Sequence, residues 1–185
     1  MPTERPAVQP TPATPGATDR ADRVRAWYRD HGAAVYNYVR YHVASPDAAE
    51  DLTAETFLRA LQAADRFDPA TRGERPWLIT IARNLLRDHR RRARVRQYVN
   101  LHALRDLASH APSPEERLLY EEEAGRALDA LAGLDAADRE IVSLRYASGL
   151  SGPEIAALLG ISEANARVRL WRAMARLRTA LGEIR

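Results

Sequence analysis

The stretch EIAALLGISEANARVRLWRA, from Glu154 to Ala173, constrains the fold more than any other part of the chain. It carries apolar residues at helical spacing on both sides of one glycine. Gly160 sits where a tight turn needs a residue tolerant of positive φ. Ala156 is small enough to let a second helix approach, and Ile155, Leu158, Leu159 and Ile161 supply an apolar seam. Ser162 is a natural N-cap for a helix beginning at Glu163. That helix offers Leu170, Ala173, Met174 and Leu177 as a buried stripe and projects Arg167, Arg169, Arg172, Arg176 and Arg178. A helix entering a major groove needs side chains near its N-terminus for base edges and cations further along for phosphates. Asn165 and Arg167 suit the first task; Arg172 and Arg176 suit the second. The plainer alternative is a bundle helix with a solvated arginine face. Glycine spacing and the capped, arginine-rich helix together favour a helix-turn-helix.

The rest of the chain also reads as helix. Val24, Trp27, Tyr28, Val35, Tyr38 and Val39 recur at helical spacing, and Ser45-Pro46 stops one helix and starts another. The second helix has Leu52, Phe57, Leu58 and Leu61 as its buried stripe. After FDPATRGERP a third shows Trp77, Leu78, Ile81, Ala82, Leu85 and Leu86. From Glu115 onward the pattern is helical again, broken at Gly133, Gly149 and Gly160. β-Branched alternation and Asn-Gly turns do not occur, and no internal repeat is visible. Residues 1–19, rich in proline and threonine, have almost nothing to bury and read as a disordered tail. The expectation is an all-α protein of two small helical domains: a three-helix domain over 20–99 and a helix-turn-helix domain over 117–185, joined by a flexible linker over 100–116.

Charge is informative by position more than by total. The 185 residues carry a formal net charge of only +3, and all 28 basic residues are arginine. A GC-rich coding bias accounts for isolated arginines, so only clusters count. RPWLITIARNLLRDHRRRARVR, from Arg75 to Arg96, sets eight arginines against Asp88. Such density repels itself unless a polyanion neutralises it, which points to phosphate; a solvated basic tail is the alternative. Upstream, SPDAAEDLTAETFL carries Asp47, Glu50, Asp51 and Glu55 without a basic residue. Two readings stand open there: pairing with the basic helix, or a docking face for a basic protein. The chain has no cysteine, which excludes disulfides, thiolate metal sites and a cysteine nucleophile. With no membrane-length apolar run and no apolar signal-peptide core, a soluble, cytoplasmic chain is expected.

Three motifs in order, DAAEDLTAETFLRAL, RPWLITIARNLLRDHRRR and LDAADREIVSLRYASGLSGPEIAALLGISEANARVRLWRAMARLR, resemble bacterial sigma factors of the extracytoplasmic-function group, in the sigma-70 family. The resemblance runs from about Arg20 to Leu181. The linker is too short for the additional middle domain of housekeeping sigma factors. The resemblance implies that Asp51, Leu52, Glu55, Thr56 and Leu58 dock on the clamp coiled coil of the RNA polymerase β′ subunit. It places Trp77, Arg83, Asn84, Arg87, Asp88, Arg90 and Arg91 where the family melts and reads the minus-ten element, with the loop Asp68 to Glu74 capturing a flipped base. Extruding a base costs a few kcal/mol, which a preformed pocket and phosphate contacts must offset. It places Ser162, Asn165, Arg167, Arg169, Arg172 and Arg176 at the minus-thirty-five duplex. The implied partners are core RNA polymerase (β′ clamp and β flap), promoter DNA and an anti-sigma factor, with nucleoid association inside the holoenzyme. One departure bears on readout. Where the family often has GTV, a basic residue and serine, this chain has Ala164, Asn165, Ala166, Arg167 and Val168, so no base preference transfers.

A helix-turn-helix also suits a stand-alone transcriptional regulator, which would want a ligand pocket or phosphoacceptor in its N-terminal half; an α/β receiver pattern is missing. An enzyme is the third class. His31, His42, His89, His102 and His110 are scattered instead of paired at metal-ligand spacing, and no glycine-rich phosphate loop or nucleophile motif occurs. The expectation is a non-enzymatic initiation subunit without catalytic residue, metal, cofactor or small-molecule substrate.

Overall fold

The computed structural model describes residues 17–99 and 116–182, and side chains within 19–92 and 125–182. The tail over residues 1–16 and most of the linker therefore lie outside the described residues. The described residues form helices and no strand: α1 (Ala17–Arg40), α2 (Pro46–Ala63), a 3₁₀ turn (Ala64–Arg66), α3 (Glu74–Val99), α4 (Glu116–Gly133), α5 (Ala136–Val142), a π turn (Ser143–Ala147), α6 (Gly152–Leu159) and α7 (Glu163–Ala180). No described helix is long and apolar enough to cross a membrane.

Local chemistry sets the boundaries. Ser45 is extended and its Oγ accepts from the Ala48 N–H at 3.1 Å, with Pro46 opening α2 where a missing N–H costs nothing. Asp135 caps α5 by accepting from the N–H groups of Ala137 and Asp138 at 2.9 and 2.8 Å. Ser151 and Glu154 form a reciprocal capping box at the start of α6. Gly160 ends that helix at φ 67°, and the Ile161 N–H closes onto the Ala156 carbonyl at 3.0 Å. The glycine turn expected between the two helices is there.

In the N-terminal half α1, α2 and α3 bury Trp27, Tyr38, Phe57, Leu78 and Leu86 against one another. Trp27, Phe67 and Trp77 meet at ring-centroid distances of 4.9–5.2 Å, which pins the loop before α3 to the bundle. Tyr28 and Leu58 depart from the expected buried stripes, at 58% and 55% exposed. Each follows a larger or deeper neighbour: Trp27 and Phe57 take the core, and a residue one position on points about 100° away. In the C-terminal half α5, α6 and α7 pack around Ile141, Leu144, Ile155 and Ala173. The two halves touch. The π turn lies on α1, α6 lies on α3, and their buried side chains form one continuous cluster.

Candidate nucleic-acid interface

The acidic helix divides its residues between two faces. Asp51 is exposed, Leu58 is exposed two turns further along the same face, and Glu55 accepts from Arg59 Nε at 2.9 Å. Leu52 and Thr56 point inward, and the Thr56 hydroxyl donates to the Leu52 carbonyl at 2.7 Å. Of the five docking candidates, these two shape the helix from beneath and the other three face outward.

Helix α3 divides likewise. Asn84, Arg87 and Arg91 lie on the solvent side with Asp88, whose carboxylate is 3.8 Å from Arg91. Trp77 is half-buried in the aromatic cluster. Arg83 and Arg90, two turns apart on the flank between the solvent side and the core, point into the junction with the C-terminal half. Arg83 Nε donates to Glu140 Oε1 at 2.8 Å and its Nη1 to the Leu158 carbonyl at 3.4 Å. Arg90 donates to His42 Nδ1 at 2.7 Å. Arg94 and Arg96 belong to the described helix, but their side chains lie outside the described residues.

These contacts belong to a junction that the sequence did not reveal. Glu140 Oε1 also accepts from the Tyr38 hydroxyl at 3.0 Å, and burial and this carboxylate push the phenol well above its ordinary value. Ser143 Oγ donates to the Glu140 carbonyl at 2.8 Å and sits 2.9 Å from His42 Nε2. Because Arg90 occupies the Nδ1 lone pair, His42 is neutral with its proton on Nε2, donating to Ser143. Burial, then Arg90, Arg139 and Arg83, pull its pKa from 6.5 to about 3. Backbone geometry brings Ser143 there. The Ser148 N–H reaches the Ser143 carbonyl at 3.0 Å, the widened five-residue spacing of a π turn.

A cleft of about 360 Å³ separates the halves beside this junction, lined by Thr71, Arg72, Gly73, Pro76 and Thr80 on one side and Glu154, Ala157 and Leu158 on the other. The loop expected to capture a base thus opens toward α6. Glu154 sits below the ordinary carboxylate range, held there by the Ser151 hydroxyl and N–H and by the charge of Arg75. Gly149, at φ 67°, comes so near Arg75 that a Cβ would lie 3.2 Å from its Nη1.

On α7, Ser162 caps the helix by accepting from the Asn165 N–H at 3.2 Å, and its own O–H stays free to donate. Asn165, Arg167, Arg169 and Arg172 are exposed, and the last three have no ion pair among the described residues. Arg176 differs: it bonds to Asp138, which is buried, and lies 3.6 Å from Asp135. The helix has two apolar stripes. Ala166, Leu170, Ala173 and Leu177 face the core, while Ala164, Val168 and Trp171 face solvent, the last two 46% and 70% exposed.

Comparison with known proteins places both halves. Residues 27–96 match the family model described as Sigma-70 region 2, and residues 124–177 the one described as Sigma-70, region 4. The extracytoplasmic-function (ECF) RNA polymerase sigma factor SigL of Mycobacterium tuberculosis is 36% identical over 172 residues, covering 91% of this chain and 94% of that one. The ECF RNA polymerase sigma factor BldN of Streptomyces coelicolor is 37% identical over 154 residues, covering 83% of this chain; the chain spans 58% of that relative's length. Among solved structures, the sigma factor RpoE of Bartonella quintana, in complex with the anti-sigma factor NepR, superposes with a TM-score of 0.69 at 27% identity, covering 89% of this chain and 99% of that one.

Proposed function

The chain belongs to the ECF sigma factors of the sigma-70 family, and on that premise we propose that it binds core RNA polymerase and directs initiation at its own promoters. One observation carries the reading: the two sigma-70 regions occur in order, each presenting a helix with outward arginines. A stand-alone regulator would need the second region but not the first. In this reading Asp51, Glu55 and Leu58 meet the polymerase β′ clamp, and α3 with the 68–74 loop melts and holds the minus-ten strand. The face of α7 from Asn165 to Arg172 reads the minus-thirty-five duplex. The polymerase, at its β′ clamp and β flap, holds the two readers at promoter spacing and makes the phosphodiester bonds; this chain supplies no reacting group. RpoE's complex supports an anti-sigma factor as a further partner. Membership of the sigma-70 family supports the cytoplasm, with the nucleoid during initiation, as the place of action.

The geometry adds one requirement. Glu140 and a DNA phosphate would compete for Arg83, so loading on the promoter entails breaking the junction between the halves. Run-off transcription with core polymerase on genomic fragments tests the proposal. The parent should give discrete start sites, and reversing charge at Asp51 and Glu55 together should abolish them while helical content stays intact. Undiminished transcription by the double variant would refute the docking assignment.

A further inference from the structure

Helix α7 spends two residues where packing gives no return. Its inward stripe already satisfies the core, with Ala166 3%, Ala173 0% and Leu177 9% exposed. The outward stripe is offset by two positions, which on a helix is about 200°, so it can never share that core. Val168 and Trp171 are also poorer helix formers than the alanine and arginine around them. Their exposure therefore calls for an external surface with something apolar on it.

The flanking charges identify that surface. Arg167, Arg169 and Arg172 border the stripe without an ion pair among the described residues. An apolar protein partner would bury these guanidinium groups unpaired, which is costly. A DNA duplex pairs them with phosphates and admits a helix into its major groove. There, the apolar feature on a base edge is the thymine C5-methyl group. Val168 lies in the second turn after the Ser162 cap, where a recognition helix is still at the base edges, with Trp171 one turn further toward the sugar wall.

Resting on the reading of α7 as a duplex-facing helix, we propose that Val168 reads a thymine in the minus-thirty-five element. Its methyl groups pack on the C5-methyl, and the position is recognised by contact without a hydrogen bond from residue 168. Valine carries no donor or acceptor on its side chain, so it discriminates by that methyl group alone. Arg167 and Arg169 fix the register on either side.

Deoxyuridine removes that methyl and changes no hydrogen-bonding group, which makes it the probe. Holoenzyme assembled from the full chain first selects minus-thirty-five sequences from a randomised duplex pool. Each thymine enriched is then replaced singly by deoxyuridine. At one position the parent should lose about fourfold in affinity, as for one buried methyl group. Val168→Ala holoenzyme should bind the thymine and deoxyuridine duplexes equally while retaining helical content. Parent binding that ignores every replacement overturns the inference and leaves the duplex-reading role standing, as does a penalty that survives in Val168→Ala. A pool without any enrichment in this element would remove both.

Discussion

Helices α3 and α7 are both arginine-rich and look alike on paper, yet the fold treats them differently. In α3 the cations on one side are drawn inward, Arg83 onto Glu140 and Arg90 onto His42, leaving Asn84, Arg87 and Arg91 outside. In α7 the reverse holds: Arg167, Arg169 and Arg172 stand without ion pairs among the described residues, and Arg176 is held by Asp138. An arginine's availability is set by what the rest of the chain brings across to it. Composition cannot report that, because the partners are remote in sequence.

The contrast breaks most visibly at Glu140, where Arg83, Tyr38 and His42 converge. Glu140→Ala should cost on the order of 3 kcal/mol of stability in urea unfolding, because it strands a guanidinium and a buried phenol. It should also strengthen binding of single-stranded oligonucleotides by the free chain, since Arg83 is released. Unchanged stability would mean that the carboxylate does not join the halves and that α3 is as open as α7.

Acid tests the same junction more gently. His42 is flanked by Arg90, Arg139 and Arg83, with Glu140 and Tyr38 beside it, and its folded pKa is about 3 against 6.5 unfolded. Below pH 6.5 the unfolded chain takes a proton that the folded chain refuses, so stability falls as pH drops from 6.5 toward 3. Between pH 7 and pH 5 the loss should be about 2 kcal/mol. His42→Gln should flatten that slope in urea titrations across the interval; an identical slope would remove His42 as its source.

The smallest effect separates two arginines of α7. Arg172→Ala should lower the salt slope of holoenzyme binding to minus-thirty-five duplex by roughly one unit. Arg176→Ala should move the slope less and lower the stability of the free chain, because Asp138 is left buried without its partner. Equal slopes for the two would show that Asp138 releases Arg176 to the DNA.

What the sequence made legible was local. Ser45 before Pro46, Gly160 before Ser162, and the apolar spacing of α3 each express a rule acting within about one helical turn, and each appears where expected. Leu58 misled because it is apolar beside Phe57, and only the helix's rotation decides which of the two enters the core. The junction was illegible for a different reason. Tyr38 and Glu140 are 102 positions apart, and no periodicity links a tyrosine on one helix to a carboxylate on another. The π turn that delivers Ser143 leaves no compositional mark in SLRYA. The outward stripe on α7 was different again. Ala164, Val168 and Trp171 already stood at helical spacing, two positions out of phase with the buried set.

The same long separations have a consequence in time. Arg83 and Glu140 are 57 residues apart, and His42 and Ser143 are 101. A ribosome adds about 5–20 residues per second, so Arg83 precedes its carboxylate by roughly 3–11 seconds. The first three helices have their own aromatic and aliphatic core around Trp27 and Leu78, and folding by domain during synthesis starts with them. What arrives late is neutralisation. A copy still being made would therefore pass through an interval as a basic three-helix fragment in which Arg83 has no Glu140 to pair with, until its own C-terminal half emerges.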